Sequence, residues 1–142
     1  MTDLYFDFND GNGEVKAHRH EYGGGWVADT ASVEKTAYVS EDARVYGYAR
    51  VFDNTQVCDN AWVYGNACVS DNARVYGDAQ VYGNARVSDN ARVCGNAWVC
   101  NNAQVYGDAR VSGNAQVYGD ARVYGYARVS ENARLFGDAR GE

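Results

Sequence analysis

Few side chains in this sequence have the chemistry of a reacting or metal-binding group. The only histidines are His18 and His20. Two apart on a strand, they point the same way, as two ligands of one metal would. A zinc site needs a third ligand and usually a fourth. No further histidine exists, so the pair reads as solvated surface residues and no metal site is expected. Carboxylates are plentiful, at 19 Asp and Glu, and any of them has the chemistry of a general base. Each Asp, however, falls in a repeat slot or in the N-terminal segment. No serine stands beside a base as an activated nucleophile. Catalytic residues and a cofactor are therefore not expected.

A hexad positions nearly everything else. In Ala73-Arg74-Val75-Tyr76-Gly77-Asp78, alternation puts Ala and Val on one side and Arg on the other. Valine returns every six residues from Val27 to Val129, and Leu135 closes the series. Two residues before each stands Ala, except for Gly25 and Thr55. The constant pair is the buried pair, and the Thr55 hydroxyl needs a partner there. The next residues, Tyr-Gly or Ser-Asp followed by Asn or Asp, must turn the corner. Gly accepts positive φ freely, and Asn and Asp tolerate it better than other residues. A fixed short period of this kind is the signature of a solenoid. If three hexads close a triangle, each strand lies beside its equivalent 18 residues later, about 4.8 Å away in a parallel ladder.

That register sorts the outward residues into three ladders. The first holds Trp26, Arg44, Trp62, Gln80, Trp98, Gln116 and Arg134. Beside it, at the adjoining corner, run Tyr46, Tyr64, Tyr82, Cys100, Tyr118 and Phe136. Trp62, Trp98, Tyr64, Tyr82, Tyr118 and Phe136 together make an aromatic wall, the best candidate for a contact surface. A second copy of the chain is its first expected occupant, in a dimer or trimer, because homo-oligomers are the common case. The second ladder mixes Arg50, Arg86, Arg122 and Arg140 with Ser32, Cys68 and Gln104. On the third, Arg74, Arg92, Arg110 and Arg128 stack in successive coils. Like charges so close repel unless paired. Asp71, Asp89 and Asp108 stand nearby, so the expectation is a screened Arg–Asp lattice, with an anion-binding strip as the alternative. The Asn/Asp slot forms ladders too, such as Asn66, Asn84 and Asn102, whose amides can bond along the column.

The same register tests the cysteines. Cys58, Cys68, Cys94 and Cys100 contain no pair 18 apart. Cys58 and Cys94 share a ladder but lie two coils apart, about 10 Å, beyond disulfide reach. Free thiols suit a reducing compartment.

Residues 1–25 do not fit the hexad. Leu4, Phe6 and Phe8 alternate with polar neighbours, Asn9 to Gly13 is dense in turn formers, and Glu14 to His20 alternates again. This reads as a β-hairpin capping the open end of the solenoid, followed by a Gly23-Gly24-Gly25 hinge. Residues 26–142 are then a β-helix of slightly over six coils. The net charge of −6 argues against direct nucleic-acid or membrane binding. Neither a signal peptide nor a membrane span is visible, which points to the cytoplasm of a bacterium or of a phage-infected host.

The Val-x-x-Asn/Asp-Ala-x pattern over residues 26–140 resembles the hexapeptide-repeat superfamily, and in detail its bacterial and phage group rich in "ARVYGNA" units. Gly24-Gly25-Trp26-Val27-Ala28-Asp29-Thr30-Ala31 resembles the opening segment of that group. The resemblance implies a left-handed parallel β-helix shaped as a triangular prism. The hand comes from the resemblance alone, since general chirality favours right-handed crossovers. It also implies side-by-side trimers, and for many relatives acyltransferase activity. Those enzymes carry a catalytic histidine and a loop thrown out from a coil, and this chain has no histidine after His20 and no insertion. Three zinc-binding histidines, as in the carbonic anhydrases of the superfamily, are absent as well. The expectation is a non-catalytic scaffold that self-associates through its aromatic face. The alternatives are a phage or mobile-element inhibitor of a host protein complex acting as an acidic nucleic-acid mimic, a glycan-binding protein using Trp62 and Trp98, and an acyltransferase-like enzyme.

Overall fold

The computed structural model describes residues 4–137 and 139–141. Among these residues every regular element is a strand, and no helix is long and apolar enough to cross a membrane. β1 (Leu4–Asp7) and β2 (Glu14–Arg19) form an antiparallel hairpin in which Leu4 faces Ala17 and Asp7 faces Glu14. β2 also pairs antiparallel with β3 (Trp26–Ala28), with Arg19 opposite Trp26. From β3 onward every ladder is parallel. Each joins a two-residue strand to the one 18 positions on, as Arg74–Val75 pairs with Arg92–Val93. The result is a parallel β-solenoid of about six turns with three sheets, of nine, seven and six strands.

The hexad explains each wall. Strands of two residues are too short to hold themselves, so burial and the inter-coil ladder must hold them. Every slot valine from Val39 to Val123 is 0% exposed, and so is every slot residue from Ala37 to Ala121, including Thr55. Each fully buried valine contributes about 1.5–3 kcal/mol. The second residue after each slot valine or leucine is left-handed at every repeat from Gly47 to Gly137. Gly fills most of these positions, and Asp53, Asp59, Asp71, Asp89, Asn101 and Glu131 fill the rest. At Gly77 a Cβ would stand 3.0 Å from the Gly95 backbone nitrogen, so close stacking of the corners adds to the demand for glycine.

The N-terminal segment differs from expectation in one respect. Gly23-Gly24-Gly25 does not act as a free joint. Gly25 N–H donates to the Val39 carbonyl and Val39 N–H to the Tyr22 carbonyl, at 2.9 and 3.1 Å. A Cβ on Gly23 would lie 2.2 Å from the Val39 oxygen, and one on Gly25 2.3 Å from Val39 Cγ1. Gly23 and Gly25 are there because the backbone lies directly against β5 (Tyr38–Val39), two strands after β3, with β4 (Ser32–Val33) between, and Gly24 takes a φ of 83° in open space.

Candidate functional site

Side chains of the first sheet stand in two adjoining columns. In the corner column, Tyr46, Tyr64 and Tyr82 stack with centroids 4.8 and 4.9 Å apart and planes within 3°. Tyr118 and Phe136 stack again at 5.3 Å, beyond the gap at Cys100. In the strand column, Trp62 and Trp98 are each set edge-to-face against a tyrosine of the preceding coil, Tyr46 and Tyr82. The two geometries are nearly identical, at 6.4 Å with 71° and 72°. Tyr64 donates its hydroxyl to Gln80 Oε1 at 2.9 Å, which fixes that amide between the two indoles.

This wall is not uniformly exposed, as the sequence reading assumed. The hairpin folds over its first coils. Phe8 stacks on Tyr46 at 4.8 Å and Phe6 on Trp26 at 4.6 Å, which leaves Tyr46 only 5% exposed. Trp62, Tyr64, Tyr82 and Tyr118 are half-buried. Open apolar surface begins at Trp98, 41% exposed, and ends at Phe136, 58% exposed. Burial holds the phenols of Tyr46, Tyr64 and Tyr82 above the ordinary value, with a hydrogen bond to Cys100 adding to the effect at Tyr82.

Where hairpin and solenoid meet lies a groove of about 500 Å³ that spacing alone did not reveal. Arg44 lies in it between two rings, its guanidinium carbon 5.0 Å from the centre of Phe6 and 5.2 Å from Trp62. One of its terminal nitrogens is buried with no hydrogen-bond acceptor, so the π faces are its counterpart. Arg19 sits 4.4 Å over Trp26 and donates to the carbonyl oxygens of Gly24 and Glu41. The repeat placed Trp26, Arg44 and Trp62 in one column. Nothing in it told that Phe6 and Arg19 would reach across from an antiparallel hairpin.

The third sheet bears the four arginines in the expected register, Arg74 to Arg92 to Arg110 to Arg128. The arginines and aspartates do not pair by direct contact. Among the described residues no arginine lies within 4.0 Å of a carboxylate. The aspartates are engaged along the axis instead. The Oδ2 atoms of Asp53, Asp71 and Asp89 accept backbone N–H groups of Asp71, Asp89 and Gly107, at 3.0–3.1 Å. Asp108 accepts from the Asn90 amide. Asn84 and Asn102 bond along their column as read from the sequence.

The histidines do not share one environment. His18 is exposed and donates Nδ1–H to Asp29 Oδ1 at 2.7 Å. His20 is 6% exposed and donates Nε2–H to the Ala37 carbonyl at 2.7 Å. It is a buried backbone clamp rather than a solvated residue, because the chain turns inward after β2. All four cysteines are free and half-buried. Among the described residues no three His, Cys, Asp or Glu side chains converge as metal ligands.

A family model described as the YdcK beta solenoid repeat matches residues 67–83, 79–95, 85–101, 103–116 and 115–131. Comparison with curated proteins returned no match. Comparison with solved structures returned none either. The matched repeats and the parallel ladders together mark the chain as a repeat β-solenoid protein.

Proposed function

We propose that the protein is a non-catalytic scaffold that associates with further copies of itself through the C-terminal half of its first sheet. The observation that carries this reading is the open apolar surface at Trp98 and at Phe136, with the half-buried Tyr118 stacked on Phe136. Contiguous apolar patches on a protein surface mark contact sites, and Trp and Tyr anchor them. Trp98 sits on a strand and Tyr118 and Phe136 directly follow one, so the inter-coil ladder positions these rings before any partner arrives, which lowers the ordering cost of association. In this proposal the solenoid is left-handed and triangular in section, and the hairpin is an N-terminal cap. The cap reading is supported by the hydrogen bonds of β2 and of Tyr22–Gly25 to the first strands of two sheets. The non-catalytic reading is supported by the roles of the titratable groups. His18, His20 and four corner aspartates (Asp53, Asp59, Asp71 and Asp89) already have structural partners.

Light scattering tests the proposal. The intact chain should have a mass above that of one copy. Trp98→Gln should return it to a single copy with an unchanged melting profile, since Gln already fills that slot at Gln80 and Gln116. A parent chain that is a single copy at all concentrations overturns the reading.

A further inference from the structure

The groove between hairpin and solenoid is a second, separate feature, on the covered half of the first sheet. It runs past Trp26, Arg44, Trp62 and Gln80, four successive strands of one ladder, and so is about 14 Å long at strand spacing. Its charges are mixed. Arg19 and Arg44 line it together with Glu41, Asp42 and Asp78. Both guanidiniums are immobilised over rings, and among the described residues no arginine closes on a carboxylate. The side chains of Asp42, Asn60 and Asp78 make no hydrogen bond among the described residues. Gln80 has its oxygen taken by Tyr64, which leaves its NH₂ group to donate outward.

This arrangement selects against simple ions. An anion entering the groove meets three carboxylates, and a cation meets two fixed guanidiniums. An uncharged ligand dense in hydroxyl groups fits both sets. Hydroxyls donate to the carboxylates of Asp42 and Asp78 and accept from the Gln80 amide and the guanidiniums. The half-buried Trp62 supplies a large apolar ring with a negative face for the C–H side of such a ligand. The volume lies in the range of small-molecule sites, and the lining comes from strand positions and from the tight corners between them. We infer that this groove binds a short neutral oligosaccharide, with Trp62 as the stacking surface and Asp78, Asn60 and Gln80 as the hydroxyl partners.

Tryptophan fluorescence titrations of the full chain with cellotriose, chitotriose, maltotriose and xylotriose test this, with trigalacturonate as the acidic control. At least one neutral trisaccharide should shift the emission saturably. Asp78→Asn and Trp62→Gln should each weaken that binding by about tenfold, the loss of one charge-assisted hydrogen bond or one stacking contact. Both residue types occur naturally in the same slots, at Asn60 and Gln80, but Trp62→Gln also removes one of the two rings beside Arg44, so Asp78→Asn is the deciding variant. Trp98→Gln, which removes the self-association surface, should leave the affinity unchanged. The inference is overturned if no neutral trisaccharide binds at millimolar concentration, if only trigalacturonate binds, or if Asp78→Asn binds as the parent does.

Discussion

Single residues show where the repeat departs from its own rule. Thr55 occupies an alanine slot, is fully buried, and its hydroxyl has no hydrogen-bond partner. An unsatisfied buried hydroxyl costs about 1–3 kcal/mol, against about 0.8 kcal/mol gained from burying its extra methyl. Thr55→Ala should therefore raise the stability by about 1 kcal/mol, read from urea unfolding. A loss of similar size would show that the hydroxyl has a partner after all. Tyr48 and Tyr126 break the Asn/Asp slot without penalty for a different reason. Their side chains point into solvent, and the backbone keeps its bond, as Tyr48 N–H to the Gly65 carbonyl shows. Proximity along the chain does not make the aspartates near the arginine column its partners. At Asp71 and Asp89 a left-handed corner turns the carboxylate along the axis, toward the N–H of the next coil, while Asp108 accepts from the Asn90 amide. That direction is a backbone property and carries no mark in the residue spacing.

At the scale of elements, the tyrosine column is sensitive to alkali. In the unfolded chain the phenols of Tyr46, Tyr64 and Tyr82 ionise near their ordinary value of 10.0, while the folded stack holds its protons to higher pH. The unfolded state then binds fewer protons, so stability falls as pH rises. Below pH 10 the contribution is fully present, and above it the loss continues until the folded phenols also ionise. Urea unfolding between pH 8 and pH 11 should show this decline, and Tyr82→Phe should make it shallower. An equal decline in that variant would place the cause elsewhere. The sheets and their register were legible in the sequence because one valine phase runs unbroken from Val27 to Val129. The groove was not. It depends on β2 joining β3 antiparallel, which brings Phe6 and Arg19 onto Arg44 and Trp26, and two alternating segments carry no signal for that docking.

For the whole molecule, core and surface obey different periods. The interior repeats every six residues, while each outward column repeats every 18. Removing residues 79–96, one whole coil, should preserve the fold and leave every later column in place. Removing only 79–84 should also preserve the core, since valine and alanine keep their phase. It moves every later side chain to the next wall, however, and so separates Trp98 and Phe136 from the tyrosine stack. Melting curves of the two deletions should be similar in shape, and both should self-associate as the parent does in light scattering, since Trp98, Tyr118 and Phe136 move as one block. Aggregation of the six-residue deletion alone would mean that the walls are not interchangeable.

The 18-residue step in pairing also bears on how the chain is made. Each coil pairs with the coil before it and the coil after it, so no contact in the solenoid waits on a distant part of the sequence. Loop closure stays short and constant along the length. The hairpin, synthesised before the solenoid, lies against β3, and β3 is the edge on which the strand Arg44–Val45 forms. A chain leaving the ribosome can thus fold behind its own growing end, each finished turn serving as template for the next. Unfinished surface at any moment amounts to a single turn, however long the protein becomes.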